Sequence, residues 1–391
     1  MSIVEKYIDY VKNEAMKKPE KSWNKIVLGY KANKWMTAIA PNRNISRGYQ
    51  KLETMMMALV ADSLAKKDSY VWGNIFAPSE IMQCFGLNTL SIECLSCYLG
   101  GFHLEDYFID YAQDMGIAPT LCSYHKTFVG GVESGVIQPP SYAVTTSLSC
   151  DGNLNTFRYL EKTAGVPFTF LDVPYDDDKS SVMYLADQLR QLTDDLSALT
   201  GTPFREEKLR EIIKTENETR KALKQFFHYQ KERCYPAELV SHLYLMMGMH
   251  LLIGNEEFLE LIRFMNDEIS SNPPFEGKRI MWIHLIPFYQ ETLKKYFNSS
   301  NKYQIVATDM ALDFAENLDE DHPFEALARK TIRNLFNGSY SYKSERLGQM
   351  AAALEPDAVI NFCHWGCKQA FGGSVLLKEK MQELGIPMIN L

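Results

Sequence analysis

Eight cysteines stand at positions 84, 94, 97, 122, 150, 234, 363 and 367. Thiolates bind soft metals and iron–sulfur clusters, and these cysteines are placed more for ligation than for packing. Cys94 and Cys97 form a C-x-x-C pair, and Cys363 and Cys367 a C-x-x-x-C pair. Cys122 follows Ala-Pro-Thr-Leu and opens the segment SYHKTFVGG. Cys150 ends SYAVTTSLS and is followed by Asp151-Gly152. Structural zinc takes four ligands from a compact knuckle, whereas these pairs are far apart in sequence. Iron–sulfur clusters take thiolates from distant segments, and Gly100, Gly101, Gly152, Gly366, Gly372 and Gly373 would let backbone N–H groups approach cluster sulfurs. Cys84, in EIMQCFGL, and Cys234, before Tyr235-Pro236, read as packing thiols at helical positions.

The elements that must hold these residues follow from periodicity. Residues 2–17 read as a helix and a second helix runs on from Ser46, with an irregular stretch between them. From residue 70 strands and helices alternate: SYVWGNIFAP, NTLSIE, SYAVTTSLS and PFTFLDVP read as strands, with APTL as a short β stretch before Cys122. Residues 178–270 read as almost wholly helical, with a break at Cys234-Tyr235-Pro236. The Met-rich LVSHLYLMMGMHLLIG reads as a core helix, not a ligand box. RIMWIHLIPF, YQIVATDM, DAVINFCHW and IPMINL return to the strand rhythm.

The expected fold is α/β: two Rossmann-like or flavodoxin-like lobes with parallel sheets, an N-terminal helical segment and a helical connection. The boundaries fall at 1–69, 70–200 (Cys94, Cys97, Cys122, Cys150), 201–275 and 276–391 (Cys363, Cys367). Ligands in such sheets sit beyond the carboxyl ends of the strands, so the cysteines are expected to converge on one cleft. No repeat and no low-complexity tract stands out. The chain ends at Leu391, in or just after a strand, and a C-terminal tail is expected beyond it.

The net charge of −8 argues against a general nucleic-acid surface. No run of about 18 apolar residues would span a membrane. The first residues, MSIVEKYIDYVKNEAMKK, lack the apolar stretch of a signal peptide, so the expected location is the cytoplasm, where a disulfide framework is not expected.

LCSYHKTFVGG, TTSLSCDGNLNTFRYLE and DAVINFCHWGCKQAFGGSVLLKEKMQELGIP resemble, in order, the three cysteine motifs of the 2-hydroxyacyl-CoA dehydratase and benzoyl-CoA reductase family. NIFAPSEIMQCFGLNTLSIE also resembles that family, and the likeness covers roughly residues 70–391. It implies that Cys122, Cys150 and Cys367 hold a [4Fe–4S] cluster, with a fourth iron open as a Lewis acid. It implies radical dehydration of an (R)-2-hydroxyacyl-CoA to an enoyl-CoA, after one-electron activation by an ATP-dependent iron–sulfur activator protein. It implies a dimer with a related subunit. Glu93 matches a family glutamate near the substrate and would serve as base or hydrogen-bond partner, against the alternative of a solvated turn carboxylate. Ser79 and Glu80 read as helix caps. His125 and Lys126 could lie near the thioester or the CoA phosphates, although a surface helix position suits them better.

Dehydratase subunits do not generally carry the Cys94/Cys97 pair or the FCHWGC pair. A related branch, the double-cubane cluster proteins, are homodimeric ATP-driven reductases of small molecules that hold an [8Fe–9S] group through six cysteines. Cys94, Cys97, Cys122, Cys150, Cys363 and Cys367 match that count. A third expectation is a cluster-free or zinc-stabilised accessory subunit.

Overall fold

A computed structural model describes residues 3–391 apart from 315 and 365. The chain folds as two compact units, each discontinuous in sequence. The first comprises residues 1–36, 55–173 and 191–204, and the second residues 37–54, 174–190 and 205–391. The helices read as a connection therefore belong, from residue 205 onward, to the second unit.

The chain begins with α1 (Ile3–Lys17), α2 (Pro19–Ile39) and α3 (Arg47–Leu64). Helix α2 occupies the stretch expected to be irregular. Pro19 at its start already has the helical φ, and Trp23, Ile26, Val27 and Tyr30 are buried. Its remaining apolar residues are scattered, with Leu28, Trp35 and Ile39 exposed, so no single stripe announces a helix.

The first sheet follows: β1 (Tyr70–Gly73), α4 (Ser79–Cys84), β2 (Asn88–Ser91), α5 (Ile92–Gly100), α6 (Glu105–Asp114), α7 (Ser123–Glu133), β3 (Ala143–Thr146), α8 (Asp151–Ala164) and β4 (Phe168–Leu171). Its order is β2-β1-β3-β4 and every pairing is parallel. All four residues of β1 and of β3 are buried, as expected of parallel strands covered on both faces. Trp72 meets Phe128 of α7 edge-on at 4.8 Å between centroids. Gly130 lets α7 lie on α6: a Cβ there would stand 1.9 Å from the Phe108 carbonyl oxygen. Two expectations fail here. Residues 118–121 form no strand, and the NTLSIE strand stops at Ser91, whose hydroxyl caps α5 by accepting from Cys94 N–H at 3.0 Å.

Helices α9 (Lys179–Thr200), α10 (Glu206–Glu232), α11 (Leu239–Leu251) and α12 (Glu256–Ser270) fill the region expected to be helical. Asn255 caps α12 through Glu257 N–H and Phe258 N–H at 2.7 and 3.2 Å. Cys234 lies just past α10, in extended chain, and not at the helical position expected.

The second sheet is built from β5 (Lys278–Ile283), α13 (Glu291–Phe297), β6 (Tyr303–Thr308), α14 (Pro323–Ile332), α15 (Tyr340–Leu354), β7 (Ala358–Asn361), α16 (Lys368–Phe371), α17 (Ser374–Glu383) and β8 (Met388–Asn390). Its order is β6-β5-β7-β8, again all parallel. Counted within each unit, both sheets read second-first-third-fourth. This is a structural repeat that the two sequences do not display. Among the described residues no helix is long and apolar enough to cross a membrane.

Candidate functional site

In each sheet the chain leaves the first strand to one side and later returns on the other. The crevice beyond the carboxyl ends of the first and third strands is where such folds bind ligands. Cys150 follows the third strand of the first sheet, and Cys363 and Cys367 follow the third strand of the second, whereas Cys94 and Cys97 come after β2 and Cys122 opens α7.

Cys122, Cys150 and Cys367 each occupy the N-cap position of a helix, ahead of α7, α8 and α16, and none forms a side-chain cap hydrogen bond. Serine, threonine, asparagine or aspartate normally stands there. Cys150 follows Ser149, whose φ is +72°, and its N–H donates to the Leu148 carbonyl at 2.9 Å. Its Sγ is 3.7 Å from His125 Nε2. A Cβ on Gly152 would stand 3.3 Å from that Sγ and from that nitrogen, a tight approach, so glycine leaves the backbone open beside the thiol. Cys363 lies in the loop after β7, its N–H donating to the Leu391 carbonyl at 2.9 Å and its Sγ 3.7 Å from the Ala370 carbonyl.

Cys94 and Cys97 differ. Both lie inside α5, and Cys94 is buried on its apolar face, contrary to the expectation of a strand end. Burial pushes the Cys97 thiol up to about 12, and Cys94 rises for the same reason. Glu93, in the first turn of α5, is not a solvated turn carboxylate. Its Oε2 is sealed from solvent without a partner. Burial pushes the carboxyl up to about 7, although hydrogen bonds from its own backbone, from Ser91 and from the Ile75 backbone oppose the rise. At neutral pH it is poised between holding and releasing a proton.

His125 and Lys126 are buried, not surface residues. His125 Nδ1 is 2.8 Å from Thr156 Oγ1, and burial lowers the imidazole to about 4, so the ring is neutral near pH 7. Lys126 Nζ donates to the Pro119 carbonyl at 2.8 Å. Ser79 and Glu80 lie in the first turn of α4, both buried, and its cap is Pro78.

The second unit holds a group that the sequence did not signal. His284, just past β5, has φ +71°, and its N–H donates to Asp309 Oδ1 at 2.9 Å, just past β6. Lys343 of α15 reaches the same place, its Nζ 3.6 Å from Asp309 Oδ2. Lys343 Nζ, Asp309 Oδ2, His284 Nδ1 and Tyr340 Oη are all buried without a hydrogen-bond partner. Burial holds the Lys343 ammonium below the ordinary lysine range, against the opposing charges of Asp309 and Cys367. A lysine in SYSYKSERL reads as a solvent-facing residue, so no local pattern marked it.

Among the described residues, no three His, Cys, Asp or Glu side chains are gathered as a metal-holding group. The donors nonetheless suit an iron–sulfur cluster. They are thiols at loop-to-helix junctions, one of them against a bare glycine, and a buried ammonium without a hydrogen-bond partner lies in the second unit.

Fold and thiol positions together define a two-unit, parallel-sheet α/β protein with cysteines at loop-to-helix junctions. The family model described as 2-hydroxyglutaryl-CoA dehydratase, D-component, matches residues 74–391, and the chain belongs to the 2-hydroxyacyl-CoA dehydratase family. The chain is 22% identical to the (R)-phenyllactyl-CoA dehydratase alpha subunit of Clostridium sporogenes over 359 residues, covering 85% of each protein. It is 24% identical to the beta subunit from the same organism over 285 residues, 69% of this chain and 74% of that one. It is 20% identical to the (R)-2-hydroxyisocaproyl-CoA dehydratase alpha subunit of Clostridioides difficile over 152 residues, 37% of each.

Proposed function

We propose that the chain is a subunit of an (R)-2-hydroxyacyl-CoA dehydratase, which removes water from the thioester substrate to leave an enoyl-CoA. Activation by one electron from a separate ATP-dependent activator protein belongs to the same reading. The observation that carries it is the family match over residues 74–391, which spans all three candidate ligand cysteines. Cys122, Cys150 and Cys367 would be the protein ligands of a [4Fe–4S] cluster. When bound, that cluster would supply a low-potential electron and a Lewis-acidic iron for a substrate oxygen.

The remaining roles fall to the chain itself. Glu93, raised to about 7, would hold or release the substrate proton at its sealed Oε2. His125, neutral and tied to Thr156, would fix the approach to Cys150. Likeness to both an alpha and a beta subunit supports pairing with a related subunit, in a homodimer or a heterodimer. The N-cap positions of the three cysteines, against the helix-interior positions of Cys94 and Cys97, support a set of three ligands over one of six.

Anaerobic iron and sulfide analysis tests this reading. About four irons per chain are expected in the wild type and in Cys94→Ala, with loss of the cluster in Cys122→Ala, Cys150→Ala and Cys367→Ala. About eight irons, or loss of iron in Cys94→Ala, would replace it with the six-cysteine arrangement. No iron and no absorbance near 400 nm would end it.

A further inference from the structure

The charged group at the carboxyl ends of β5 and β6 has no role in the reading above. Lys343 is buried at 2% exposure and Asp309 at 0%. The Lys343 ammonium lies 4.0 Å from the Phe336 ring centroid and 5.5 Å from that of Tyr340, so two sides of it are lined with aromatic carbon. Its counter-ion among the described residues, Asp309, is 3.6 Å away, too far for a hydrogen bond. A buried ammonium has three donors to satisfy, and leaving them unmet costs several kcal/mol. A buried donor left unmet in this way calls for a further acceptor beside it. The Tyr340 ring beside it lies on Gly373, where a Cβ would stand 1.9 Å from that ring, at the end of the short α16 that Cys367 opens. Tyr340, on the same turn of α15, feels Asp309, Cys363 and Cys367.

We infer that Lys343 is the fixed positive charge that serves the iron–sulfur group held at Cys367, and that Asp309 sets its position and partly offsets its charge. This rests on the dehydratase reading. Lys343 is a positioning residue: it need not touch substrate. A cation beside a cluster favours the reduced form, which carries one more negative charge, and so raises the reduction potential. The backbone supports the arrangement. His284 takes its left-handed conformation while its N–H anchors Asp309 Oδ1, which leaves Oδ2 facing the ammonium. Strain of this kind persists where the surroundings require it and clusters at functional sites.

The test measures the midpoint potential and iron content of the anaerobically purified full-length chain, as wild type, Lys343→Met, Lys343→Arg and Asp309→Asn. Lys343→Met should shift the potential to more negative values or lose iron, Lys343→Arg should stay near wild type, and Asp309→Asn should shift the potential the opposite way. Two shifts of opposite sign are not what a general loosening of structure produces. If Lys343→Met does not fold, the sign of the Asp309→Asn shift decides alone. Unchanged potentials, or shifts of the same sign, would overturn the inference while leaving the dehydratase reading intact. A wild type without iron would overturn both.

Discussion

The two units share one sheet topology and treat its ligand-binding end in opposite ways. Beyond the first strand of the first unit stands Asn74, whose Nδ2 donates to Thr146 Oγ1 and whose Oδ1 accepts from Thr146 N–H, both at 3.1 Å. The amide ties the first strand to the third, and its hydrogen bonds are spent on structure. Beyond the first strand of the second unit stands His284, strained, with a partnerless ring nitrogen beside a loosely paired Lys343 and Asp309. The contrast separates polar groups that hold a fold together from polar groups held ready by a fold. Both kinds are buried and polar, so burial alone does not distinguish them; satisfaction does.

The sharpest way to break this comparison lies within the second unit. Glu216 of α10 is fully buried, and its Oε1 accepts from Arg220 Nε and Nη2 and from Lys330 Nζ at 2.8–2.9 Å. Arg220 Nη1 also donates to the Phe314 carbonyl at 2.6 Å. Glu216→Ala strands two cations and should cost about 3–5 kcal/mol in urea unfolding. The double variant Lys343→Met/Asp309→Asn removes a pair with no mutual hydrogen bond and should leave stability unchanged or raise it by up to about 4 kcal/mol. Equal costs would mean that the two clusters are alike and that the Lys343 group is structural.

Asn74→Ala is the counterpart in the first unit. It leaves Thr146 N–H and Oγ1 short of partners at the end of β3 and should cost about 3 kcal/mol. His284→Gly should cost less than that, since relief of strain at φ +71° offsets part of the loss of a buried ring. A clearly smaller cost at His284 than at Asn74, read from denaturation midpoints, would sharpen the contrast; equal costs would blunt it.

How far the sequence reached follows the same division. The strands were legible because short apolar runs such as AVTT and AVIN are bounded by Ser, Asp, Asn and Cys. The cysteine segments were legible because Gly, Asp and Cys cluster just after those runs. Helix α2 was not, because its apolar residues are spread around its axis and only tertiary packing selects the buried ones. Glu93, Cys94 and Cys97 read as a strand end because NTLS is a genuine strand, although the Ser91 cap that ends it is a local signal of the helix. His125, Lys126 and Lys343 were illegible for a different reason. A lone charged residue on a helix carries no mark of the face it will present, and its burial depends on contacts distant in sequence.

The pH dependence of stability probes the first unit's own poised group. Glu93 rises from an ordinary 4.5 to about 7, so the folded chain keeps a proton that the unfolded chain releases. The carboxyl's contribution is least unfavourable below pH 4.5. Stability is then lost as the pH climbs from 4.5 to 7, and no further above it. The loss is on the order of 3 kcal/mol. Glu93→Gln should remove it, leaving unfolding free energies at pH 8 and pH 5 closer together than in the wild type. An unchanged difference would mean that Glu93 is solvated after all and that the first unit holds no poised carboxyl there.

The smallest effect concerns how the matching helices α7 and α15 end. Helix α7 passes into Gly135 at φ +80°, with nothing within 4 Å of where a Cβ would stand. Helix α15 ends on Glu355 at φ +48°, a conformation that costs a non-glycine residue about 1 kcal/mol. Glu355 recovers part of that cost through its ion pair with Lys231, but its side chain is 68% exposed and such pairs contribute little. Gly135→Ala should therefore destabilise by about 1 kcal/mol through backbone strain alone. Glu355→Gly should stabilise by less than that, because the relief of strain is set against the lost ion pair. Raising the salt concentration should widen the Glu355→Gly gain, since screening weakens the pair and leaves the strain untouched. A gain that shrank with salt would mean that the ion pair, not the backbone, decides how this helix ends.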